Sequence, residues 1–210
     1  MEVEKLLYQI ETREIVLPEF QREFVWKKED SKQLLVSMFR GYPVGSILLW
    51  ETNNPPEIKN DAVSNKTVGL TKVILDGQQR LTVLYLFMVN EIPPYYSEKE
   101  ITYDPRDLYF NVETGDFRYY QKQMMSNNPL WQKVIDCFQN KIDGIEIADR
   151  ADGEFDKDLA RVYNKNLNRL ESIKKIKLPI ESVSPDCKID EAIEVFDRSL
   201  LRVQFYFQGR

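Results

Sequence analysis

The chain has no histidine in 210 residues. That excludes a Ser-His-Asp or Cys-His mechanism, imidazole ligation of zinc, and a His-Asn-His nuclease within these residues. Cysteine is nearly as scarce. Cys137 and Cys187 lie far apart and cannot by themselves build a structural zinc site, so they read as reduced thiols of a cytosolic protein. No apolar run approaches the ~18 residues that span a bilayer, and the N-terminus has no signal-peptide pattern, so no membrane partner is expected. Nor is there an excess of positive charge: 29 Lys and Arg stand against 34 Asp and Glu, a net −5. A sequence-blind grip on nucleic acid by the whole surface is thereby excluded, although a local basic patch is not. Both common nucleotide cradles, Gly-x-x-x-x-Gly-Lys-[Ser/Thr] and Gly-x-Gly-x-x-Gly, are also missing.

What is present is an ordinary globular composition, 42% hydrophobic and 30% charged, with 11 Tyr, 11 Phe and 3 Trp to fill a core. Val3, Leu6, Leu7 and Ile10 keep helical spacing, and Ile15-Val16-Leu17-Pro18 is a short strand closed by proline. Glu29 to Arg40 is a helix that Gly41 can cap, followed by the tight turn Gly41-Tyr42-Pro43-Val44-Gly45 and a strand over Ser46 to Trp50. Two glycines and a proline this close bring the backbone near a neighbouring element or a ligand. Glu51 to Lys72 reads as an exposed loop, and Asp107 to Tyr120 as a β-hairpin turning at Thr114-Gly115. A short helix is expected over Asn128 to Phe138, a loop over residues 141 to 156, and a long amphipathic helix from Phe155 to Ile173. Lys177 to Val183 reads as an edge strand because of Pro179, and Asp190 to Ser199 as a helix.

The chain is organised around Val73-Ile74-Leu75-Asp76-Gly77-Gln78-Gln79-Arg80-Leu81, continued by an apolar run to Val89. The lead-in is a buried strand and the leucine-rich exit a helix. The turn between them aims free N–H groups, and the positive end of a helix dipole, at whatever lies above. Asp76 as a simple helix cap is the plainer reading; with Gln78, Gln79 and Arg80 beside it, a phosphate or nucleotide site is the stronger one. Gln21 and Arg22, set between Phe20 and Phe24, place an arginine on an anchored loop, which suits a phosphate ligand. A triphosphate needs more positive charge than Arg80 supplies, so Gln21 and Arg22 are expected to meet the Asp76–Arg80 turn in space.

Three segments together, Leu17 to Trp26, Arg40 to Trp50 and Ile74 to Thr82, resemble the N-terminal domain of GmrSD-type modification-dependent restriction proteins, a family marked by Asp-Gly-Gln-Gln-Arg. The resemblance implies an α+β, ParB/sulfiredoxin-like fold with a C-terminal helical annex. The division expected is residues 1–125 for the nucleotide-binding domain and 126–204 for a mainly helical extension, while Phe205-Tyr206-Phe207-Gln208-Gly209-Arg210 by itself resembles a protease-site remnant of an expression tag. The resemblance also implies NTP binding and hydrolysis, with Asp76, Gln78, Gln79 and Arg80 as catalytic residues. Because phosphoryl transfer needs positioning and charge neutralisation more than a strong base, Asp76 would hold Mg2+ or orient water, and Gln78 or Gln79 would position the attacking water. Gln21, Arg22, Gly41, Tyr42, Pro43, Gly45 and Gly77 would contact the nucleotide. The partners implied are the nucleotide (GTP, ATP or another), modified DNA, and a separate His-Asn-His nuclease domain or subunit. One departure stands out: Ser199-Leu200-Leu201-Arg202 occupies the place where the family continues with an aliphatic residue, asparagine and a glycine turn.

The leading function is therefore an NTP-binding and NTP-hydrolysing sensor domain of a DNA restriction and phage-defence protein. The alternatives are a non-enzymatic module that recognises nucleotide or modified DNA, and a ParB-like nuclease. The last is disfavoured because Asp76 is the only acid that stands out in the motifs.

Overall fold

The computed structural model describes residues 1–60, 70–152, 156–188, 190–192 and 194. In chain order the elements are α1 (Val3–Glu11), β1 (Ile15–Val16), α2 (Lys28–Arg40), β2 (Ile47–Thr52), β3 (Thr71–Asp76) and α3 (Gln78–Met88). Then follow β4 (Leu108–Asn111), β5 (Phe117–Tyr119), α4 (Lys122–Met125), β6 (Trp131–Lys133), α5 (Val134–Phe138), α6 (Gly144–Asp152), α7 (Lys157–Glu171) and β7 (Ile180–Val183). Helices and two small sheets make the chain α+β, as expected.

A four-stranded sheet in the order β1-β3-β2-β7 carries the central motif. β3 runs parallel to β1 and antiparallel to β2, while β7 lies parallel to β2 at the edge. Val73, Ile74 and Leu75 are completely buried, which explains the unbroken apolar run: β3 has a packed layer on each face. α3 lies against one of those faces. Every residue from Gln78 to Met88 except Arg80 is buried, so α3 is a core helix with no solvent face of its own. Pro93-Pro94 follows it, after Asn90 has turned the chain with a left-handed backbone.

The second sheet, β5-β4-β6, is antiparallel throughout and turns Leu108, Phe110 and Phe117 toward the core. Phe39 of α2 meets Phe110 and Phe117 edge-on at centroid separations of 5.4 and 5.5 Å. The 107–120 hairpin thus forms as read, with Gly115 in the left-handed region at φ 78°. One buried cluster runs from α1 through α3 and this sheet to Tyr163, Leu170 and Leu178.

Two expectations are corrected. Asn128 to Phe138 is not one helix. Its first half is the strand β6, with Trp131 and Lys133 opposite Asn111 and Tyr109 of β4, and only Val134–Phe138 is helical. Pairing with β4 overrides the helical spacing, and the Asn128 carboxamide oxygen, accepting from Leu130 N at 3.0 Å, turns the chain into the strand. Nor is 141–156 a loop, since α6 occupies Gly144–Asp152. Asp143 Oδ1 accepts from Ile145 N at 2.8 Å at the start of α6, and Ile147 and Ala148 are buried. The exposed acids of the segment had hidden that short apolar stripe.

The long amphipathic helix and the edge strand form as α7 and β7. Part of the 51–72 loop docks: Glu19 N donates to Glu57 O at 2.8 Å and Lys59 N to Leu17 O at 2.9 Å. The helix expected over Asp190 to Ser199 is described only at 190–192, where Ala192 is buried, and at 194. Residues 195–210, with the family departure and the suspected tag remnant, lie outside the described residues.

Candidate functional site

The β3–α3 junction is built on Gly77. Its φ of 95° is left-handed, and a Cβ placed there would run into Ile47 Cδ1 of β2. Glycine is thus required twice, for backbone conformation and for space. It lets the chain reverse from strand to helix, with Leu81 N donating to Gly77 O at 3.0 Å to start α3. The N–H groups of the first helical turn have no acceptor within the helix.

Against this junction lies the irregular segment 21–26, fastened by three buried carboxamides. Gln21 Nε2 donates to Leu75 O at 2.7 Å, and Gln78 Nε2 to Arg22 O at 3.2 Å. Gln79 works at both ends: its Oε1 accepts from Val25 N at 3.0 Å and Trp26 N at 3.2 Å, while its Nε2 donates to Glu23 O at 3.0 Å. A carboxamide has one acceptor end and one donor end, as a peptide unit has, so Gln79 substitutes for the missing strand partner of the segment. Tyr96 adds its hydroxyl to Arg22 O at 3.2 Å. Burial holds the Tyr96 hydroxyl well above its usual pKa, so it remains a donor.

Arg80 joins a third segment to the junction. Its Nη1 donates to Val44 O at 2.7 Å and its Nη2 to Asp76 Oδ2 at 3.3 Å. The side chain is 15% exposed, and burial lowers its pKa against the opposing pull of Asp76. A Cβ on Gly45 would stand 2.7 Å from Nη1, so this glycine leaves the space that the guanidinium fills. Gly41, Tyr42 and Pro43 are exposed, and among the described residues no hydrogen bond ties them to the junction. Gly41 ends α2 in a left-handed cap.

The expected meeting of residues 21–22 with the 76–80 turn is therefore present. Arg22 itself is exposed, and its guanidinium makes no hydrogen bond or ion pair with the described residues. The expected pinning differs in one residue: Phe24 is buried and Trp26 partly buried, but Phe20 is 43% exposed. Asp76 is 44% exposed, and its Oδ1 has no partner among the described residues. Gln78 Oε1 is buried and equally unpartnered. Sequence reading missed the acceptors of this network, because Leu75 O, Arg22 O, Glu23 O and Val44 O are main-chain atoms that any residue would present. Tyr96, next to Pro93-Pro94, was also missed.

The groups left for a ligand are two charged ends of opposite sign, Asp76 and Arg22, beside a helix N-terminus. This defines an α+β protein with a clamped strand–turn–helix polar site and none of the usual nucleotide cradles. The chain belongs to the family described as GmrSD restriction endonuclease, N-terminal domain, whose model matches residues 3–199. It is also similar to an uncharacterized protein of Methanocaldococcus jannaschii, 40% identical over 81 residues, a match covering 34% of this chain and 14% of that protein's length.

Proposed function

We propose that this chain is the nucleotide-binding and nucleotide-hydrolysing sensor module of a modification-dependent restriction protein acting against foreign DNA in the cytoplasm. The observation that carries the reading is the junction itself. The segments that carry Arg22 and Asp76, distant in sequence, are joined by buried carboxamides, while the Arg22 guanidinium and Asp76 Oδ1 have no partner among the described residues. A ParB/sulfiredoxin-like ancestry for the sheet and junction belongs to the same proposal.

In this reading the first-turn N–H groups of α3 and the Arg22 guanidinium take the phosphates. Arg80, tied to Val44 O and Asp76, positions the carboxylate and the 44–45 turn. A nucleotide-borne Mg2+ needs only one or two carboxylates beyond the phosphates, and Asp76 with its open Oδ1 fits that requirement. When bound, the ion supplies charge neutralisation at the phosphates. Gln79 has both amide ends engaged, so orientation of water falls to Gln78, whose buried Oε1 has no partner among the described residues.

Phosphate release measured over a panel of NTPs with Mg2+ tests the proposal. Asp76→Ala is expected to abolish turnover in a folded protein, and unchanged turnover would reduce Asp76 to the ion-pair partner of Arg80. The full engagement of Gln79 favours a second reading, in which the junction is a rigid recognition surface for nucleotide or modified DNA without hydrolysis. Nucleotide binding without phosphate release would select it. DNA cutting would come from a His-Asn-His partner domain or subunit; plasmid cleavage by this chain alone would contradict that assignment.

A further inference from the structure

The outward face of the β5-β4-β6 sheet takes no part in the site above. Leu108 and Phe110 point into the core, so Tyr109 between them points out. In the ladder, Tyr109 stands directly opposite Arg118 of β5 on one side and Lys133 of β6 on the other. All three therefore share one face, and both cations are exposed. Tyr120, two residues beyond Arg118, is 50% exposed and tilts against Tyr109 with ring centroids 5.5 Å apart and planes 44° apart. Neither Arg118 nor Lys133 makes a hydrogen bond or ion pair with the described residues. The neighbouring acid Asp107 is neutralised by Lys28 at 2.7 Å, although Asp116 remains at the turn end.

We propose that this face is a stacking platform for single-stranded nucleic acid. In a chain of net charge −5, an aromatic pair flanked on both sides by unpaired cations is a local reversal of sign. Its chemistry is specific to one ligand class. Tyrosine rings on a sheet stack on bases, which only an unpaired strand presents, and cations one strand-spacing to either side meet the phosphates. An acidic peptide would use the cations and leave the rings idle. A duplex would reach the cations but offer no free base faces.

The test is fluorescence anisotropy of a labelled ten-nucleotide oligothymidine with the full chain at low salt. Tyr120→Ala is expected to weaken binding roughly tenfold or more, the loss typical of one stacked base, while Tyr120→Phe keeps most of the affinity. The double change Arg118→Glu, Lys133→Glu is expected to remove binding, with an unchanged melting temperature showing that the fold survives. Absence of binding in the unaltered chain would overturn the proposal, as would equal binding by Tyr120→Ala. It would also fall if duplex of the same length, or polyglutamate, bound as tightly as the single strand.

Discussion

The β3–α3 junction and the outer face of the small sheet are both rich in polar and charged groups, and they handle them in opposite ways. At the junction Gln21, Gln78 and Gln79 are buried, and their Nε2 groups donate to backbone carbonyls brought from other parts of the chain. On the small sheet Arg118 and Lys133 are exposed and have no partner among the described residues. A dense polar motif in sequence therefore announces architecture at least as much as chemistry. What the network leaves over is Asp76 Oδ1 and Arg22. The plain-looking sheet, with no motif at all, presents two unengaged charges of one sign.

The comparison is broken most severely at Gly77. Gly77→Ala meets both a left-handed backbone and the Ile47 side chain, and is expected to destabilise by about 3 kcal/mol, read by urea unfolding. Wild-type stability would mean that the junction can relax without being held by glycine. Gln79→Ala strands two N–H groups and a carbonyl of segment 23–26 and is expected to cost about 2 kcal/mol. Changing Arg118 or Lys133 to alanine should move the same unfolding midpoint by under ~0.5 kcal/mol. Equal effects in the two regions would erase the contrast.

Arg22→Ala sharpens it further, since that side chain belongs to the junction but not to its bonding. Stability is expected to stay within ~0.5 kcal/mol while nucleotide affinity falls by about 1.5–3 kcal/mol, with Arg22→Lys recovering only part. Calorimetric titration beside thermal melting separates the two quantities, and a fall in stability with intact affinity would return Arg22 to the scaffold. The smallest effect concerns Asp104. Burial pushes its carboxyl upward, but the side-chain and backbone donors of Arg106, with its charge, prevail and hold it below its ordinary value. A depressed folded pKa contributes stability above the unfolded value, about 4, that is lost as pH falls through the folded one. Because the carboxylate is 42% exposed, the loss should stay under ~1 kcal/mol. Asp104→Asn should remove that increment of acid sensitivity, and an unaltered acid-unfolding profile would count against it.

Local chemistry was readable from the residues alone. Gly77 after the apolar run Val73 to Leu75 and Asp76, Gly41 after the α2 stripe, and Thr114-Gly115 between alternating residues each set their turn through backbone geometry, which is a property of neighbours in sequence. So did the buried character of β3 and α3. What the residues did not reveal is where bonds run between distant parts. Trp131 to Lys133 became a strand because β4 offered an edge, and the short Ile147-Ala148 stripe became a helix. Gln79 became a fastener because Val25, Trp26 and Glu23 arrived at its two ends. Those outcomes depend on main-chain donors and acceptors, which are alike at every position and carry no mark in the sequence. The tertiary structure alone decided which of them each side chain would meet.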